Sequence, residues 1–279
     1  MLDSISFVGG GVMGEAMIQG LLSKSLVKAS EITVAEPRKD RSKELQQHYD
    51  VKITSDNRRA AQASKIIVFS IKPQDLGSVI EELSGSLHPD QLVISIVAGA
   101  RIDTIRDGLH HDRVIRVMPN TPAQIGEGIS VWTATPSVDK DQLSQTRSIL
   151  QAFGKEIYVK EEKFLDMATA VSGTGPTYVF LVMEAMIDAA VHLGFPRHIA
   201  YELVTETIKG SILFAMKSGK HPSELRNMVT SPGGTSAEAL YQLEKGSLRT
   251  VLSRAIWAAY ERSRSLGEEN GSWRPERQS

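Results

Sequence analysis

Ser4-Ile5-Ser6-Phe7-Val8-Gly9-Gly10-Gly11-Val12-Met13-Gly14-Glu15-Ala16-Met17 is the stretch on which the fold turns. A short β-branched and aromatic run enters a glycine cluster. The glycines at 9, 11 and 14 satisfy G-x-G-x-x-G, and a helical pattern with Ala16, Met17, Leu21 and Leu22 follows. The first glycine permits a tight turn, the second lets backbone approach a pyrophosphate, and the third allows close helix packing. A helix N-terminus placed there presents unsatisfied N–H groups and about half a positive charge to phosphate oxygens, so Gly9, Gly11, Val12, Met13 and Gly14 are candidate cofactor-binding residues. Glu36 ends the next apolar run, roughly 20 residues on, where an acid accepts hydrogen bonds from an adenosine ribose.

Outward from this unit, Val- and Ile-rich runs alternate with amphipathic segments to about residue 160. They are residues 4–8, 32–35, 65–71, 91–97 and 114–117, with weaker runs at 129–132 and 156–159. That rhythm predicts an α/β fold, a doubly wound and mostly parallel sheet of Rossmann type. After Glu162 the pattern turns helical. Val179 to Leu193 is apolar on most faces, Glu184, Asp188 and His192 forming one narrow polar stripe. Further helices are expected from Pro196 to Gly219, over 236–244 and over 247–264. So apolar a helix needs more cover than a small bundle supplies, which predicts a subunit interface. The expected domains are 1–161 (dinucleotide binding), 162–268 (helical) and a polar, frayed tail, 269–279.

Composition narrows the chemistry. The 279 residues carry 32 Lys and Arg against 33 Asp and Glu, so no basic field draws nucleic acid or an anionic membrane, and a small-molecule partner is expected. With no cysteine there is no disulfide, thiolate metal site or cysteine nucleophile. The seven histidines show no metal-ligand spacing, so no metal is predicted, and the pair His110 and His111 is expected in a solvated loop. With no basic-apolar leader and no run of 18 uninterrupted apolar residues, a cytoplasmic protein is expected.

Further segments carry a family resemblance: Ile71-Lys72-Pro73-Gln74, Ala98-Gly99, Arg116 to Ala123 (R-V-M-P-N-T-P-A), Ser172-Gly173-Thr174-Gly175-Pro176 and Val229-Thr230-Ser231-Pro232-Gly233-Gly234-Thr235-Ser236. In this order behind a dinucleotide loop, from residue 4 to about 266, they resemble the pyrroline-5-carboxylate reductases. The resemblance implies a nicotinamide-dependent reduction of 1-pyrroline-5-carboxylate to proline, with an all-helical C-terminal dimerisation domain interlocking two subunits. The assembly is then a homodimer or a higher oligomer. It also implies that Asn57 lies on the adenosine side of NAD(P)H, that Lys72, Pro73, Ala98, Gly99 and Asn120 line the cofactor, and that the 231–236 loop holds substrate.

On that reading the Ser236 hydroxyl meets the imine nitrogen. Ser231 and backbone N–H groups around Gly233, Gly234 and Thr235 hold the carboxylate, and Glu162 is a further candidate for the ring nitrogen. The chain departs from the family pattern at three places: Glu36-Pro37-Arg38 where Asn or Ser followed by Arg is frequent, Met228 where an amide is frequent, and Ser236 in place of Thr. Glu36 implies NADH use at least equal to NADPH, with Arg38 a counterweight. Two rivals are a 3-hydroxyacid dehydrogenase of the 6-phosphogluconate type and a non-catalytic dinucleotide-binding paralogue. The first needs a helical Lys with a neighbouring Asn, and Lys163, Lys209 and Lys217 have no Asn four residues on.

Overall fold

The inner strands of the sheet are buried along almost their whole length, because both of its faces are covered there. In the computed structural model, which describes residues 2–271, eight strands form one sheet: β1 (Ile5–Val8), β2 (Ile32–Ala35), β3 (Lys52–Thr54), β4 (Ile66–Phe69), β5 (Leu92–Ser95), β6 (Val114–Met118), β7 (Gly128–Ala134) and β8 (Gly154–Tyr158). Their order is β3-β2-β1-β4-β5-β6-β7-β8. All pairs are parallel except β6 with β7. The first six strands keep the 3-2-1-4-5-6 order of a doubly wound dinucleotide fold.

Alternation along each strand divides the core in two. Ile5 and Phe7 of β1, Ile66 and Val68 of β4, and Ile115 and Val117 of β6 pack to one side, against Met17, Ile18 and Leu21 of α1 (Val12–Ser23) and Ile149 and Leu150 of α6 (Lys140–Gln151). To the other side point Ile67, Phe69, Val93 and Val114. They meet α4 (Leu76–Leu83) and α5 (Ile102–Leu109), which come after α2 (Lys39–Tyr49) and α3 (Asn57–Gln62) in the chain.

Beyond the sheet come α7 (Lys163–Ala168), a π-helical turn (Thr169–Gly173), α8 (Gly175–His192), α9 (Arg197–Ser218), α10 (Pro222–Met228), α11 (Thr235–Lys245) and α12 (Leu248–Gly271). The chain forms two units, Met1–Gly175 together with Ala258–Ser279, and Pro176–Trp257. The second is all helical. Its small core is Ile187, Ala200 and Val204, while Phe180, Leu181, Phe214 and Met216 are exposed. Among the described residues, the run Lys163–His192 is apolar and long enough to cross a membrane by length and composition alone.

The structure differs from the sequence expectation at several points. β3 was not expected, since its Lys52 and Thr54 give an edge strand little apolar signal. The short α10 was also missed, although Pro222 stands in its first turn and the His221 side chain accepts from the Ser223 N–H. Helix α12 continues to Gly271, where a frayed segment is expected from residue 269; the tail beyond 271 lies outside the described residues. His111 is buried rather than solvated, its Nε2 2.8 Å from the Gln91 carbonyl, and burial lowers its pKa. His110 accounts for this, because its left-handed backbone ends α5 and turns the next residue inward.

Phe7 is fully buried at the centre of the sheet. Phe7→Ala is expected to lower the unfolding free energy by about 3–5 kcal/mol, a cost that chemical denaturation at constant m-value would register.

Candidate dinucleotide site and helix-terminus loop

The parallel strands deliver their following loops to one edge of the sheet. The glycine turn follows β1, Glu36 and Arg38 follow β2, Lys72 and Pro73 follow β4, Ala98 and Gly99 follow β5, and Asn120 follows β6. Between β1 and β4 the strand order reverses, and in open α/β sheets ligands bind in the crevice at that point.

The glycine turn fits tightly against β4. Gly9 has φ +98°, a conformation that side chains disfavour, and a Cβ there would lie 2.7 Å from the Ser70 carbonyl oxygen. At Gly14 a Cβ would lie 2.9 Å from Ser70 Oγ. Ser70 itself donates to the Gly9 carbonyl at 2.7 Å. In the sequence Ser70 stands within the apolar run 65–71, with nothing beside it to mark this contact. Gly11 caps α1 without any side-chain hydrogen bond, so the first N–H groups of the helix face outward from the cradle. Such a cradle fits a pyrophosphate.

The peptide of Gly10 is gripped from both sides. Its N–H donates to Glu36 Oε2 at 3.1 Å, and its carbonyl accepts from Arg41 Nε at 2.7 Å. Arg41, which the sequence reading overlooked, also pairs with Glu15 and Glu44, and the Tyr49 hydroxyl donates to Glu15 at 3.0 Å. Burial and that bond push the Tyr49 pKa up to about 12, so it stays a donor.

Glu36 is 4% exposed and is held further by Arg38, whose Nε and Nη2 reach its two carboxylate oxygens at 2.9 and 3.1 Å. Burial pushes the Glu36 pKa up. Hydrogen bonds from the Arg38 side chain and from the Arg38 and Gly10 N–H groups more than offset this, and the net shift is downward.

Other candidates have more local partners. Asn57 Nδ2 donates to Glu82 Oε2 at 2.7 Å, and Asn120 Oδ1 accepts from the Ile129 N–H at 2.9 Å. Glu162 Oε1 accepts from the Ile102 N–H and from Arg116 Nη1, both at 2.8 Å. Val12 and Lys72 are exposed, and Met13, Pro73 and Ala98 are half-buried.

Ser231, Gly233, Gly234, Thr235 and Ser236 belong to the helical unit, in the loop that enters α11. Gly233 has φ +70°, and the Gly234 N–H donates to the Ser231 carbonyl at 3.1 Å. Gly234 then caps α11 without a side-chain bond. The first N–H groups of α11, on Thr235 and Ser236, therefore have no partner within the helix. Thr235 and Ser236 are both among the residues named from the sequence.

A phosphate cradle at a sheet's switch point, followed by a helical unit with a polar loop at a helix start, defines a dinucleotide-dependent oxidoreductase. Residues 162–266 match the family model described as pyrroline-5-carboxylate reductase dimerisation, and residues 4–99 match one described as NADP oxidoreductase coenzyme F420-dependent. The pyrroline-5-carboxylate reductase of Synechocystis sp. is 38% identical over 96% of this chain and 100% of its own. That of Escherichia coli is 36% identical over the same shares. A crystal structure of the Plasmodium falciparum enzyme with NADP bound superposes with a TM-score of 0.88 at 33% identity, covering 95% of this chain and 98% of the other. The chain belongs to the pyrroline-5-carboxylate reductase family.

Because the Glu36 pKa is depressed on folding, its bonds stabilise the protein above the ordinary carboxylate range, and that contribution is lost as pH falls through the folded value. Glu36→Gln is expected to cost about 1–3 kcal/mol at neutral pH and to flatten the decline of stability below about pH 5. Denaturation profiles at several pH values check this.

Proposed function

We propose that the protein reduces the cyclic imine 1-pyrroline-5-carboxylate to L-proline with NADH or NADPH, the last step of proline biosynthesis. The observation that carries this reading is the occurrence in one chain of the Gly9–Gly14 cradle against Ser70 and the Ser231–Ser236 loop on the α11 N-terminus. Relatives of this activity span nearly the whole chain, which disfavours a 3-hydroxyacid dehydrogenase or a non-catalytic paralogue.

The dinucleotide supplies the hydride when bound, and the chain's own task is to orient and to hold a proton. Gly9, Gly11, Val12, Met13 and Gly14 hold the pyrophosphate at the start of α1, and Asn57 borders the adenosine. Lys72, Pro73, Ala98, Gly99 and Asn120 border the nicotinamide end. The positive end of α11, with the Thr235 and Ser236 N–H groups and the Ser231 side chain, receives the substrate carboxylate. The half-buried Ser236 hydroxyl accepts from the protonated ring nitrogen, which favours the charged imine that takes up hydride. Two copies pair through the exposed apolar faces of the helical unit, which also explains the apolar run Lys163–His192 in a cytoplasmic enzyme.

Turnover of purified protein with 1-pyrroline-5-carboxylate, and its absence with 3-hydroxyacids, is the test. In the same assay Ser236→Ala loses a hydrogen bond to a charged group, about 1.5–3 kcal/mol, which corresponds to roughly a 10- to 150-fold fall in kcat/KM. Full activity in Ser236→Ala with collapse in Ser231→Ala would move the role within the loop.

NADH is used at least as well as NADPH on this reading. The Glu36 carboxylate lies at the tip of β2, where it accepts ribose hydroxyls and opposes a 2′-phosphate. At 4 Å and an effective dielectric near 20 such a like-charge pair is worth about 4 kcal/mol, and after screening on the order of tenfold in affinity remains. Arg38 covers the carboxylate: its own side chain is 67% exposed while that of Glu36 is 4% exposed, so a ribose reaches Glu36 where the Arg38 guanidinium swings aside into solvent. Glu36→Asn is expected to move preference about tenfold toward NADPH, and Arg38→Ala to weaken NADPH use alone. A strong NADPH preference unchanged in Glu36→Asn would overturn the assignment.

A further inference from the structure

Arg116 stands in the middle of β6, beside Ser95 of β5 and Thr133 of β7, on the face of the sheet to which Val114 also points. Its guanidinium is 3% exposed. Two acids four residues apart at the start of α7 clasp it, with Nη1 2.8 Å from Glu162 Oε1 and Nη2 2.9 Å from Asp166 Oδ1. Each acid has a second partner: Glu162 Oε1 takes the Ile102 N–H that opens α5, and Asp166 Oδ1 takes the Ser263 hydroxyl of α12 at 3.1 Å. One ion cluster thus ties β6 to the starts of α5 and α7 and to the last turns of α12. Stability alone does not call for it, since replacing a buried ion pair by apolar packing is often neutral or stabilising.

We propose that Arg116, acting through Glu162 and Asp166, is a positioning residue for the nicotinamide end of the cofactor. The loop Ala98–Arg101 runs directly into Ile102, whose N–H the cluster holds, and β6 runs directly into Asn120. The far end of α12 lies over the same loop: a Cβ on Gly99 would be 2.9 Å from Leu266 Cβ, and Arg101 Nη2 is 3.9 Å from Glu268 Oε1. The segments after β5 and β6 are thereby fixed to one another through charge-assisted bonds of defined direction. This assigns Glu162 to the cofactor loops and not to the substrate nitrogen. The inference rests on the reading that these loops border the nicotinamide.

The test uses the full-length protein and compares NADH with ADP-ribose, which lacks the nicotinamide, as ligands for the parent, Arg116→Met, Arg116→Lys and Glu162→Gln. Arg116→Met and Glu162→Gln are expected to weaken NADH about tenfold while ADP-ribose binds within about twofold of parent, and to lower kcat by about 10- to 100-fold with little change in KM for the imine. Arg116→Lys, which keeps the charge without the fork, restores part of the loss. Equal loss of both ligands, or a raised imine KM in Glu162→Gln with kcat and NADH affinity intact, would overturn the proposal. If Arg116→Met does not fold, Ser263→Ala, which removes a single bond to Asp166, is read by the same two ligands, and unchanged NADH binding and kcat in both Ser263→Ala and Glu162→Gln would likewise overturn it. Absence of imine turnover in the parent would remove the functional reading, while the ligand comparison would still decide the role of the cluster.

Discussion

The close passage of the glycine turn against the end of β4 is the constraint on which the rest depends. Gly9, Gly14 and Ser70 meet so closely that a side-chain carbon at either glycine would displace its neighbours, so the turn passes the end of β4 in this form only with glycine. That adjacency is the point where the strand order reverses, and it aims the N-terminus of α1 outward at the sheet edge. The grip of Glu36 and Arg41 on the Gly10 peptide holds the turn in place from β2 and α2. Crevice and phosphate cradle therefore share one steric fit.

Most of this architecture was legible in the sequence, for a physical reason. A parallel strand covered on both faces must be apolar throughout, so β1, β2, β4, β5 and β6 stand out as β-branched runs. β3 and β8, at the two edges of the sheet, bury little and leave weak traces or none. The glycine positions were legible because their requirement is local. The partners that make them work were not: Ser70, Arg41 and Glu82 lie tens of residues away from Gly9, Gly10 and Asn57, and nothing in their neighbourhoods marks them. His111 misled because its burial follows from the left-handed turn of the residue before it.

Glu162 has partners that residue type alone does not show. An acid at the end of the sheet region, in a chain thought to stabilise a cationic imine, suggests a substrate contact. Its Oε1 accepts two bonds, from a strand arginine and from a helix-start N–H. Arg116 gave the counter-signal, a charged residue inside the apolar run of residues 114–117, where a charge survives only with dedicated partners.

The helical unit leaves Phe180, Leu181, Phe214 and Trp257 exposed, while Ile187, Ala200 and Val204 are its buried apolar side chains. A fold that completes its apolar cover by pairing obeys mass action: its apparent melting temperature rises with protein concentration, and dilution alone weakens it. The sheet unit closes two large cores within its own chain. With the proposed pairing, one polypeptide combines a half whose stability is intrinsic with a half whose stability depends on protein concentration.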